Sequence, residues 1–95
     1  MRFEWDATKA AANLQKHGVS FPEATTVFGD PFELTIPDPD HSVRELRFLS
    51  VGMSVARRVL LVAYTERGST IRIIHARTAV SKERRAYDSG KTTTE

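Results

Sequence analysis

Cysteine is absent from the 95-residue chain, so neither disulfide bonds nor thiolate-ligated zinc can hold it together. A packed core has to do so. Long apolar runs are missing too, since the longest, Val59 to Tyr64, falls far short of the roughly 20 residues that a helix needs to cross a bilayer. The opening Met1-Arg2-Phe3-Glu4-Trp5-Asp6 lacks the apolar stretch of a secretory signal. Together these absences predict a cytoplasmic protein with no membrane partner. The three histidines, His17, His41 and His75, are widely separated, with no His-x-x-x-His pair, which predicts no metal site. A Gly-rich phosphate loop and a G-x-S-x-G elbow are also missing, so no cofactor and no covalent nucleophile are expected.

What is present fits one small domain, taken as residues 1–90 with a mobile tail at 91–95. Surface scaling at this size allows roughly 65% of the unfolded chain's surface to be buried, enough for a modest core but not for a large enclosed cofactor cavity. Hydrophobic residues make up 40% of the chain and charged ones 27%, which argues against intrinsic disorder. The net charge of +2 conceals an asymmetry: residues 1–41 carry three basic residues against seven acids, and residues 42–95 carry eleven against five. Nine of the ten arginines lie in the second part. Arginine's planar donor fork suits phosphate, so this part predicts a polyanionic partner such as nucleic acid.

Local signals predict the elements. Asp6 caps a helix from about Ala7 to His17, and Gly18 supplies its left-handed end. Ala10, Leu14 and His17 share one face of that helix, and Lys9, Asn13 and Lys16 another. Ser20 and Glu23 have capping-box spacing for a second helix, running to about Phe28. Strands follow at Phe32 to Ile36, Arg44 to Val51, Arg58 to Glu66 and Thr70 to Arg77, with Gly52 at a connection. The Val59–Tyr64 run is apolar on both alternations, which places it centrally. Ser81 caps a last helix through about Ser89, ended by Gly90. The fold class is therefore α+β, with the order α-α-β-β-β-β-α and helices on one face of an antiparallel sheet of about four strands.

With metals, cofactors and covalent nucleophiles set aside, general acid-base and electrostatic chemistry by His, Arg and Lys remains. RNA cleavage needs only that, because the 2′-hydroxyl is a built-in nucleophile; the protein has to take one proton, give another and stabilise charge on phosphate.

Four segments bear on this: Phe3-Glu4-Trp5-Asp6 with Lys9 and Asn13; Lys16-His17-Gly18-Val19 through Phe21 and Ala24; Phe28-Gly29-Asp30-Pro31; and Arg72-Ile73-Ile74-His75-Ala76-Arg77 leading to Glu83-Arg84-Arg85-Ala86-Tyr87. In order and spacing over residues 3 to 87 they resemble the BrnT family of toxins from bacterial type II toxin-antitoxin pairs. The resemblance implies a RelE-like fold and a ribonuclease that arrests translation. It also implies neutralisation by a BrnA-type antitoxin, with which the toxin represses its own operon, DNA being contacted through the antitoxin. The chain departs from the family pattern at His75, where serine is usual, at Thr78, where lysine is common, and at Ala56-Arg57, where a glycine often marks the turn.

The candidate catalytic residues are His17, Arg47, Arg72, His75 and Arg77. Strand alternation sends Arg72 away from Ile71 and Ile73, and Arg47 away from Leu46 and Phe48, onto an open face where they could hold phosphate or instead pair with Glu45 or Glu66. A bulge would reverse one of these two assignments. His75 shares strand parity with Arg77 and also with Ile71 and Ile73, which are candidates for the core. His17 is either a proton-transfer group or a helix-terminal histidine favoured by the dipole. Lys9, Lys16, Lys82, Arg84 and Arg85 are the candidate RNA-binding cations, against the alternative of solvated helix faces. Phe3, Trp5 and Phe21 are expected in the core, and Asp30, Asp38 and Asp40 in turn chemistry. A rival reading is a non-catalytic module that binds nucleic acid or an antitoxin.

Overall fold

The structure, a computed structural model, describes residues 1–41 and 45–92, with Pro39, Lys91 and Thr92 described by backbone alone. Its first element is a strand, β1 (Arg2–Glu4), followed by α1 (Ala7–His17). Asp6 caps α1 by accepting from the Lys9 amide at 2.9 Å, and Gly18 closes it at φ 69° with its N–H on the Leu14 carbonyl. Both ends match the sequence signals. The sides of α1 do not, because Asn13 is its buried residue and Leu14 is 51% exposed.

Ser20 caps α2 (Phe21–Thr25), accepting from the Glu23 amide at 3.1 Å. The helix expected to reach Phe28 tightens instead into a 3-10 turn over Thr26–Gly29. Thr25 and Thr26 donate their hydroxyls to the Pro22 and Glu23 carbonyls at 2.7 and 2.6 Å, which competes with continued α-helix. Glu23 does not complete the capping box, because its carboxylate goes to Arg58 and Ser54.

The remaining strands are β2 (Leu34–Pro37), β3 (Arg47–Met53), β4 (Val59–Arg67) and β5 (Thr70–Thr78), and α3 (Ser81–Thr92) follows. The sheet has five strands in the order β1-β5-β4-β3-β2 and is mixed, since β1 pairs parallel to β5 while all other pairs are antiparallel. This corrects the expectation of four antiparallel strands: the added strand has three residues, too few to show a period. The apolar strand β4 is central, as its pattern predicts. Arg44, expected to begin β3, lies outside the described residues. Gly52 sits within β3, where a Cβ would come 2.9 Å from Val27 Cγ1, so the glycine lets the 3-10 turn approach the strand. Gly90 likewise fails to stop α3, and of the expected mobile tail residues 91 and 92 are helical, while 93–95 lie outside the described residues.

Helices cover both faces of the sheet, not one. Against the first pack α1, α2 and the 3-10 turn, burying Val19, Phe21, Ala24 and Val27 with Leu60, Val62, Tyr64, Ile71, Ile73 and Ala76. Phe3 and Trp5 join this core, Phe3 against Phe28 and Trp5 edge-on to Phe21 with centroids 6.0 Å apart. The second face is covered at one end only, by Tyr87 of α3 over Val51, Val59 and Leu61. Tyr87 donates to Asp30, which also accepts from the Met53 amide at 2.8 Å and the Phe32 amide at 2.9 Å. Burial and the Asp30 charge push the Tyr87 hydroxyl up to about 12. Among the described residues no helix is long and apolar enough to cross a membrane.

Candidate active site

The uncovered part of the second face is built in rows. Residues in register on neighbouring strands project to the same side. Glu4, Arg72, Thr65 and Arg47 form one row across β1, β5, β4 and β3. His75, Ala63, Leu49 and Ile36 form the next, and Arg77, Leu61, Val51 and Leu34 the third. A bulge makes this possible: Ala63 pairs with His75 but Tyr64 pairs with Ile73, leaving Ile74 without a counterpart. The extra residue turns His75 and Arg77 onto the open face beside Arg72, while Ile71 and Ile73 stay in the core.

Three adjoining clefts, of about 380, 450 and 230 Å³, run along this face and over the β5 edge. Lys9, Arg47 and Arg72 line the first, His41, Arg47, His75 and Arg77 the second, and Lys9, Lys16, His17 and His75 the third. The His17 and His75 rings meet edge to face with centroids 4.8 Å apart. Burial, then the charges of His17, Arg77, Arg47 and Lys16, lower the His75 pKa from its ordinary 6.5. A neutral imidazole at neutral pH, ringed by cations, is a proton acceptor beside an anion site.

Arg72 and Arg77 are held by carboxylates. Arg77 makes two bonds of 2.9 Å to Glu83, which also accepts from the Val80 amide. The hydrogen bonds from Arg77 keep the Glu83 carboxyl below its ordinary range. Arg72 donates to Glu4 at 3.0 Å, and Arg67 to Glu45 at 2.9 Å, so the pairing partner of Arg72 is Glu4 and not Glu45 or Glu66. The parallel β1–β5 register, which sets Glu4 opposite Arg72, is the cause. Lys82, Arg84 and Arg85 are exposed on α3 and line none of these three clefts. Among the described residues no three His, Cys, Asp or Glu side chains group as metal ligands.

The family model described as "Ribonuclease toxin, BrnT, of type II toxin-antitoxin system" matches residues 5–83. The chain belongs to the BrnT family of ribonuclease toxins. The crystal structure of the Brucella abortus ribonuclease toxin, BrnT, superposes with a TM-score of 0.67 at 21% identity, covering 85% of this chain and 99% of that one, a likeness of fold. No curated protein matches the chain.

Within this BrnT-family fold several residues are not evident from sequence. Asn13, read as part of a polar face, donates to the Ala76 carbonyl at 2.8 Å and accepts from the Ala76 amide at 3.1 Å, taking the place of a neighbouring strand where β1 has ended. It also donates to the Val19 carbonyl at 2.9 Å. Thr65 lies between Arg47 and Arg72 at 4% exposure. Asp38 and His41 bond to each other at 2.9 Å and both line the second cleft, a role that their spacing of three in a turn could have suggested.

Proposed function

We propose that this toxin is a metal-independent endoribonuclease whose active site is the open face of the sheet. The observation that carries the reading is the Ile74 bulge, which gathers His75, Arg77, Arg72 and Arg47 on one surface with His17 against His75. His75 accepts the 2′-hydroxyl proton, and the 2′-oxygen attacks phosphorus. Arg47, Arg72 and Arg77 bind the phosphate and the charge that develops on it, which requires RNA to draw Arg72 and Arg77 partly away from Glu4 and Glu83. His17 supports proton transfer through His75. Lys9 and Lys16 extend the cationic surface along the β5 edge, while Lys82, Arg84 and Arg85 offer a second basic surface on α3 for flanking RNA.

The family carries the rest of the proposal: cleavage arrests translation in the cytoplasm, a BrnA-type antitoxin neutralises the toxin, and the pair represses its operon with DNA contacted by the antitoxin. Purified toxin is expected to cut RNA in the presence of a chelator and leave a 2′,3′-cyclic phosphate. A His75→Ala protein that cuts at the wild-type rate, or wild-type protein that leaves RNA intact while binding it in a salt-sensitive way, overturns the reading and favours the non-catalytic module.

A further inference from the structure

A cleavage step that takes a proton at the 2′-oxygen has to return one at the departing 5′-oxygen, and His75 with His17 accounts for only one side of the phosphate. The turn after β2 supplies a group for the other. His41 Nδ1 lies 2.9 Å from Asp38 Oδ2, an imidazole whose orientation is fixed by a carboxylate and whose Nε2 is then the atom that exchanges a proton. The His41 side chain is 63% exposed while that of Asp38 is 13% exposed, so the carboxylate is anchored and the ring accessible. His41 and His75 belong to different parts of the chain, yet they line the same cleft of about 450 Å³, together with Arg47 of β3, the strand next to β2, and Arg77, on β5 with His75. That volume falls in the usual range for small-ligand sites, about 300–1,000 Å³. His41 also borders the first cleft with Arg47 and Arg72, so it stands where the two clefts meet.

We infer that His41, held by Asp38, is the general acid of the reaction, donating its Nε2 proton to the 5′-oxygen as the P–O5′ bond breaks. His75 takes the 2′-hydroxyl proton, the O2′–P bond forms, and the products are a 2′,3′-cyclic phosphate and a 5′-hydroxyl. The inference rests on the ribonuclease reading above. Proton transfer by a positioned side chain contributes about 10²–10⁴-fold.

Full-length protein is compared on an oligoribonucleotide with a mapped cleavage site and on the same oligonucleotide carrying a bridging 5′-sulfur at that site, a leaving group that departs without protonation. His41→Ala and His41→Gln are expected to slow the ordinary substrate by about 10²-fold or more and to leave the thio substrate within a few-fold of wild type. His75→Ala slows both substrates. Asp38→Asn lowers the rate on the ordinary substrate alone, by less than His41→Ala does. Equal losses on both substrates for the His41 variants, or no loss on either, overturn the acid assignment. A wild-type protein that cuts neither substrate overturns the ribonuclease reading itself.

Discussion

The two faces of the sheet have opposite economies of polar groups. On the helix-covered face the polar groups of Asn13 and Ser50 are buried and matched to fixed partners: Asn13 to backbone, Ser50 to Glu33 and Tyr64. On the open face the same kinds of bond are made by long, half-exposed side chains, Arg72 on Glu4 and Arg77 on Glu83, which solvent and a polyanion can compete for. A buried amide that loses its partner has no substitute, whereas a surface ion pair is worth little and exchanges readily. The covered face therefore specifies the fold, and the open face can be respecified by a ligand.

Substitutions should separate the two. The largest effect is expected on the open face in activity, where Arg47→Ala or His75→Ala lowers kcat/KM for RNA by roughly 10²–10³-fold, with thermal unfolding little changed. A parallel loss of folding would break the comparison. Next in size is Asn13→Ala, which leaves the Ala76 amide and carbonyl without a neighbour and costs about 3 kcal/mol in denaturant unfolding. RNA cleavage by the fraction that remains folded should be nearly intact.

The pH dependence sharpens the same contrast. His75 acts as a base in its neutral form, and its folded pKa is lowered from 6.5, so the acid limb of the cleavage profile lies below pH 6.5. A limb above pH 7 contradicts the role. The hydrogen bond from Arg58 lowers the pKa of Glu23 from 4.5, and this acts on stability instead. That contribution is present above the unfolded value near 4.5 and is lost as pH falls through the lower folded value. Glu23→Gln should cost about 1 kcal/mol at pH 7, allowing for the screening of the half-exposed Arg58, and the difference from wild type should shrink in acid. The smallest effect is a gain: Arg57 holds φ 63° in the β3–β4 turn, and Arg57→Gly should stabilise by about 0.5–1 kcal/mol.

The starts of α1 and α2, the central place of β4 and the open-face position of Arg47 and Arg72 were legible because each follows from a local pattern. Ser81, expected to cap α3, is instead its first residue. Position 57 was legible too, as the turn where the family often carries glycine. The parallel strand β1 was not, since its pairing joins residues nearly 70 positions apart in sequence (Arg2 with Thr70) and three residues show no alternation. Which face His75 takes depends on the register slip between Ala63 and Tyr64, and no residue type announces it: Ile74 resembles its apolar neighbours. Asn13 was misplaced because helical spacing groups it with Lys9 and Lys16, whereas its amide is drawn inward by the open backbone at Ala76. Asp38 was read as a turn residue and His41 as one of three histidines unsuited to a metal site, so the spacing of three that joins them went unused.

The Asn13 amide has a consequence for self-association. An unpaired stretch of β5 would offer a template for another chain's strand, the start of aggregation. A single side chain beyond the end of the three-residue β1 occupies both backbone groups of Ala76 in that stretch. The outer edge of β2 ends at Pro37 after four residues, a short template on which growth by strand addition halts early.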